Sequence, residues 1–126
     1  MKKEDLMIGD LVSVLGIPMR IAELGTVRAG FLDENGEMFY NGYYIIEPIP
    51  LTEDFLEKNG FKSNGTERLW HKQCEEDFRL LIDTKDNDAL LCVFTYGFCE
   101  LRTNVRFVHE LQHAMRVMGI KKSLIN

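Results

Sequence analysis

The chain has 126 residues, enough for one domain or two very small subdomains sharing a core. Its content of 45% hydrophobic and 28% charged residues is that of a globular protein and argues against disorder. A net charge of −5 argues against non-specific nucleic-acid binding, and no apolar run approaches a membrane span or a signal-peptide core, so a cytoplasmic location is expected.

Residues 8 to 47 read as short strands punctuated by Gly9, Gly16, Gly25 and Gly30. Val12 and Val14 mark the first, and Met19 and Ile21 the second. Asp33-Glu34-Asn35-Gly36 is a turn between Phe31-Leu32 and Met38-Phe39-Tyr40. Asn41-Gly42 is a second turn signal before Tyr43-Tyr44-Ile45-Ile46. Strands at this spacing predict a small antiparallel, barrel-like sheet.

Pro48 and Pro50 then force extended backbone. Leu51 to Phe61 carries a complete short helix: Thr52 as N-cap, Leu51 and Leu56 as a hydrophobic staple, Glu53 and Asp54 in the first turn, and Gly60 as the left-handed stop. Lys62 to Glu67 reads as a loop. Strands follow near Leu69–Gln73, Phe78–Asp83 and Leu90–Thr95, with a fourth short one at Cys99–Arg102. A turn at Thr84–Asp88 joins the second and third of these, and Tyr96-Gly97 marks another. A last helix is predicted from Val105 to Met118, capped by Asn104 and stopped by Gly119. The fold class is therefore α+β: a β-rich part over 1–47, then helix, β-meander and helix over 48–126, packed as one compact unit.

His109-Glu110-Leu111-Gln112-His113 spells H-E-x-x-H, the zinc-hydrolase signature in which both imidazoles bind the metal and the Glu activates water. A catalytic zinc needs a third protein ligand. The tail beyond His113 holds no His, Cys, Asp or Glu, which leaves Cys99 upstream as the alternative donor. On a 100° wheel centred on Leu111, the residues Phe107, Val108, Ala114, Met115 and Met118 share one apolar face. His109 and His113 fall at about 160° and −160°, opposite that face and flanked by Arg106 and Arg116. No catalytic residue, metal or cofactor is expected on this reading.

Other constellations are weaker. Cys74, Cys92 and Cys99 form no C-x-x-C pair and read as small buried hydrophobes. His71 and Cys74, three apart on a strand, face opposite sides; His71 is expected toward solvent and Trp70 in the core. Asp83, Asp86 and Asp88 lack the frame of a calcium loop. The aromatic run Phe39, Tyr40, Tyr43, Tyr44 reads as one face in the core and one in a sheet-edge or protein contact. Residues 1–100 hold 10 basic and 19 acidic side chains, whereas 101–126 hold 5 basic (Arg102, Arg106, Arg116, Lys121, Lys122) and 1 acidic. That basic end complements the helix dipole; a nucleic-acid face is the alternative, and it is not favoured.

The segment Glu47-Pro48-Ile49-Pro50-Leu51-Thr52-Glu53-Asp54-Phe55-Leu56-Glu57-Lys58-Asn59-Gly60-Phe61 resembles a motif in small uncharacterised proteins of Bacteroidetes-type gut bacteria and their phages. So does Val105 to His113, with Ile8 to Val12 as a weaker match. Together the two main segments cover about a quarter of the chain. The resemblance implies a phage or mobile-element context and no known activity. It also implies that His109, Leu111 and Gln112 are the shared positions, making His109 and Gln112 a polar docking edge. The expected function is a non-catalytic accessory or protein-interaction protein, with an unknown protein partner or self-association. Its contact residues are His109, Gln112, Arg106, Arg116, Tyr40 and Tyr43. Zinc-dependent hydrolysis by His109, Glu110, His113 and Cys99 is the enzymatic alternative.

Overall fold

A computed structural model describes residues 1–126 except 64, 66, 67, 76, 85–88, 122 and 126. The rest of the predicted turn at 84–88 and Lys122 thus lie outside the described residues, as do Asp86 and Asp88. Contacts divide the chain into two compact units: Met1–Pro50 with Phe107–His109, and Leu51–Arg106 with Glu110–Asn126.

In the first unit, β1 (Leu11–Val14), β2 (Ile17–Leu24), β3 (Arg28–Leu32) and β4 (Met38–Gly42) form an antiparallel meander. A 3₁₀ turn at Tyr43–Ile45 leads into β5 (Ile46–Pro48), which pairs with the other side of β1. The sheet order is β4-β3-β2-β1-β5. Alternate side chains point to one face because the strand period is two. Val12, Val14, Met19, Ile21, Ala29, Phe31 and Ile46 therefore collect, with Leu6, into one core. Phe39 packs on it, its ring 5.3 Å from that of Phe31. Each large side chain buried this way stabilises by roughly 1.5–3 kcal/mol.

Turn chemistry follows the sequence at two places. Asp33 Oδ1 accepts from the amides of Asn35 and Glu37, both at 2.9 Å, and Gly36 takes φ +78°. Leu15 and Gly16 both have positive φ, 52° and 82°, the backbone a two-residue hairpin needs to match strand twist. Asn41 and Gly42, by contrast, are the end of β4 and not a turn. The barrel-like expectation stops at an open sheet: β4 and β5 are its two edges, and no ladder joins them among the described residues. β5 has three residues and ends at Pro48, which has no N–H to donate, so it offers little edge for closure.

The second unit opens with α1 (Glu53–Lys58). Thr52 Oγ1 accepts from Phe55 N at 3.2 Å, and Phe55 and Leu56 are buried. Gly60 at φ +84° lets Gly60 N reach Glu57 O and Phe61 N reach Leu56 O at 2.9 Å, closing the helix as a Schellman motif. A five-stranded antiparallel meander follows: β6 (Lys62–Ser63), β7 (Leu69–Cys74), β8 (Phe78–Asp83), β9 (Leu90–Thr95) and β10 (Phe98–Asn104), with β6 and β10 at the edges. Trp70, Cys74, Leu80, Ile82, Leu91 and Val93 alternate into the buried face. Tyr96 and Gly97, at φ 51° and 86°, form the β9–β10 turn. A bulge between Cys99 and Leu101 interrupts the last ladder.

α2 spans Val108–Val117, three residues later than the pattern predicts, and Asn104 belongs to β10. Tertiary pairing overrides the local cap signal. Val105 N donates to Ala89 O at 2.8 Å, and Pro50 and Phe107 form an antiparallel bridge, so residues 105–107 stay extended. The buried apolar residues of α2 include Val108, Leu111, Ala114 and Met115, all from the wheel's apolar face; Phe107 and Met118 of that face lie just outside α2 and are half-buried. None of the described helices is long and apolar enough to cross a membrane.

Candidate functional site

The H-E-x-x-H residues sit in the first two turns of α2. Glu110 is at the third helical position, and its Oε1 accepts from Arg106 N at 2.9 Å. The carboxylate reaches back beyond the start of the helix to an amide of the extended segment that leads into it. His109 is only 6% exposed and its ring stacks on Phe107, centroids 5.9 Å apart at 14°. Gln112 is 9% exposed, and His113 is half-buried. The wheel reading, which put His109 opposite the core, is therefore corrected. It assumed one apolar surround, whereas Phe107–His109 group with the first unit and Glu110 onward with the second. His109 and Gln112 offer little open surface as a docking edge. Among the described residues no three His, Cys, Asp or Glu side chains are grouped to hold a metal ion.

None of the three thiols is in a disulfide, but they differ. Cys74 is buried, Cys92 half-buried and Cys99 exposed on the edge strand β10, so the expectation of burial fails for Cys99. Burial, and then the neighbouring Cys99 thiol, push the Cys92 thiol above its ordinary 9.0. A nucleophilic cysteine needs the opposite shift.

The tyrosines of the first unit form a more open surface. Gly30 lies between Glu23 and Tyr40 on one rung of the β2–β3–β4 ladder. A Cβ on Gly30 would come within 2.9 Å of Tyr40 Cε1 and 3.1 Å of Met38 Cε, so the missing side chain is the seat of the Tyr40 ring. Tyr40 OH donates to Glu23 Oε1 at 3.1 Å, and Arg28 lies 4.9 Å from the ring centroid. The bond to Glu23 raises the Tyr40 hydroxyl above its ordinary 10.0. Tyr40, Met38 and Tyr44 remain 42%, 39% and 84% exposed. Tyr43, grouped with Tyr40 in the sequence, behaves differently: it packs on the core and its hydroxyl donates to Gly25 O. β4 itself, Met38-Phe39-Tyr40-Asn41-Gly42, is a sheet edge with no charged residue, no proline and an unbroken register.

The basic residues of the C-terminal stretch are spread over several elements. Arg102 is on β10, Arg106 precedes α2, Arg116 is in its last turn, and Lys121 follows it with its amide bonded to Glu75 Oε1; all four are exposed.

The second unit also holds two clefts. One, of about 410 Å³, is lined by Arg79, Leu81, Phe94 and Tyr96, with Tyr96 OH bonded to Asp77 at 2.9 Å. The other, of about 580 Å³, has Lys58, Lys62, His71 and Lys72 in its lining. Sequence reasoning missed these lysines. The signal was present: Lys72 alternates with Trp70 and Cys74, and an inward Trp70 requires an inward Lys72. It likewise missed Arg28 and Glu23, whose positions beside Tyr40 depend on register. The chain matches no family model, no curated protein and no solved structure.

Proposed function

We propose that the chain is a non-catalytic interaction protein that assembles through the open edge of β4, and that the partner strand is that of a second copy. The observation that carries this reading is the unprotected character of β4. Sheet edges are ordinarily blunted by charge, proline or a bulge, because their unpaired N–H and C=O groups recruit other strands. β4 has none of these, in a chain where 28% of residues are charged.

A second copy suits this edge. Two β4 strands meeting antiparallel about Tyr40 place Met38 against Gly42 and Phe39 against Asn41, large beside small, with no like charges opposed. Tyr, Met and Arg, the exposed types here, are those enriched in interface cores. An edge contact of five residues is small, so association is expected in the range of about 10–100 μM.

Sedimentation equilibrium tests it. The wild type is expected to dimerise with rising concentration. Met38→Lys with Tyr40→Lys, which charges the edge, is expected to remain monomeric, and Tyr40→Phe, which keeps a ring on Gly30, to dimerise. A wild type that stays monomeric to millimolar concentration, or a charged double variant that still dimerises, overturns the reading. The resemblance to proteins of gut bacteria and their phages suggests the setting of such an assembly and names no substrate.

A further inference from the structure

Beyond assembly, we infer that Cys92 and Cys99 are a thiol pair that reacts with hydroperoxides and closes to a disulfide across β9 and β10. A cysteine that serves packing is ordinarily buried. Cys99 is instead exposed on the edge strand β10, where its Sγ donates to Leu101 O at 3.6 Å. Packing does not account for a thiol in that position, and its chemistry does.

The register places the second thiol beside it. Leu91 and Val93 point into the buried face, so Cys92 and Phe94 point to the opposite one. Cys99 stands across from Phe94, and Arg102 across from Cys92, which makes Cys92 and Cys99 diagonal neighbours on that face. A regular diagonal pair has Cα atoms roughly 7–8 Å apart, a little more than the roughly 4.4–6.8 Å that a disulfide spans. The bulge between Cys99 and Leu101 lies at this point, and it bends the strand that carries it. β10 is also a sheet edge, paired with β9 alone, so a small shift of the strand breaks no second ladder. The thiols already sense each other: after burial, Cys99 is the largest influence holding the Cys92 thiol above 9.0. Cys74 is buried on the other face of the sheet, with Trp70, and does not compete.

Exposure sets the order of the steps. Cys99 Sγ attacks one oxygen of the hydroperoxide, an S–O bond forms and the O–O bond breaks. The departing oxygen takes the thiol proton and leaves as water or an alcohol. Cys99 is then a sulfenic acid, and the electron pair it gave up has reduced the peroxide. Cys92 Sγ attacks that sulfur, the S–S bond forms, and the sulfenic oxygen leaves as water with the Cys92 proton. Burial and the Cys99 thiol keep Cys92 protonated at first, which suits the second and slower role; Arg102 opposite it favours the thiolate and eases that step. A thiol reductant such as glutathione reverses the reaction, its own disulfide carrying off the electron deficit.

Titration with hydrogen peroxide, then alkylation in denaturant and chymotryptic mapping, tests the pair. Cleavage at Phe94, Tyr96 or Phe98, between the two cysteines, is expected to release their peptides joined by a disulfide. Cys74 alone is expected to be alkylated, and the chain to run as a monomer on a denaturing, non-reducing gel. Glutathione is expected to restore every thiol. Cys92→Ser is expected to stop at the Cys99 sulfenic acid, trapped by dimedone. Cys99→Ser is expected to lose the linked product and to leave Cys92 a thiol at the same peroxide dose. Circular dichroism checks the fold of each variant, and the wild-type map decides the question even where one fails to fold. A link between two copies of Cys99 as the main product, a Cys99 sulfinic acid without the linked peptide, or unreacted thiols throughout overturns the pair. Neither cysteine is in β4, so the outcome is independent of the assembly experiment.

Discussion

At Glu110 the carboxylate that would activate water in a zinc hydrolase is bonded to the backbone amide of Arg106 instead. Glu110→Ala is therefore expected to lower stability by about 1 kcal/mol, the worth of one hydrogen bond, read from the urea midpoint. An unchanged midpoint would show the bond to be idle. Leu15 bears the opposite kind of cost. It holds φ 52° while 76% exposed, a left-handed conformation that costs a branched side chain roughly 1–2 kcal/mol. Leu15→Asn is expected to raise the thermal midpoint, because Asn tolerates that region and no buried contact is lost. Tyr40 is the residue whose ionisation reports on its surroundings. Its hydroxyl is held above 10.0 by Glu23, so the stabilisation is complete below pH 10 and is lost as pH rises beyond it: the unfolded chain gives up the proton first. Tyrosinate absorbance in Glu23→Gln is expected to develop at lower pH than in the wild type.

Elements whose signals are local were legible in advance. α1 carries its cap, staple and left-handed stop within residues 51–61, and the cap and the stop are found in place. The β-meander of the second unit was readable from its period of two. What was not legible depended on partners distant in sequence. The start of α2 moved because Pro50 and Ala89 hold residues 105–107 extended, and no pattern around Asn104 reports that. The burial of His109, stacked on Phe107, is not visible on a wheel that allows a single buried face. The edge status of β4 is a matter of topology, although its lack of charge was visible from the start. Asn59 offers a test at this scale. Its side chain joins the end of α1 to the segment at Ile125 through hydrogen bonds that Ala cannot make. Asn59→Ala is expected to cost about 2 kcal/mol and to speed hydrogen exchange at the Ile125 amide, while exchange in β1–β5 stays unchanged. Protection retained at Ile125 would count against the clasp.

Over the whole molecule the net charge sets how the β4 assembly responds to salt. Copies carrying −5 each repel, so added salt is expected to tighten the β4 assembly. Sedimentation across an ionic-strength series would show the slope, and an assembly that weakens as salt is added would contradict it. The pairing of Pro50 with Phe107, and of Val108 N with Ile49 O at 2.9 Å, has a consequence for biosynthesis. A ribosome delivers the strands of the first unit early, yet the segment that completes that unit emerges only after all of residues 51–106. During translation the backbone at Ile49 and Pro50 waits without its partner. A pause within that interval leaves a nascent chain whose first unit is assembled but not closed, and it is then that a chaperone or a neighbouring nascent chain has access to it.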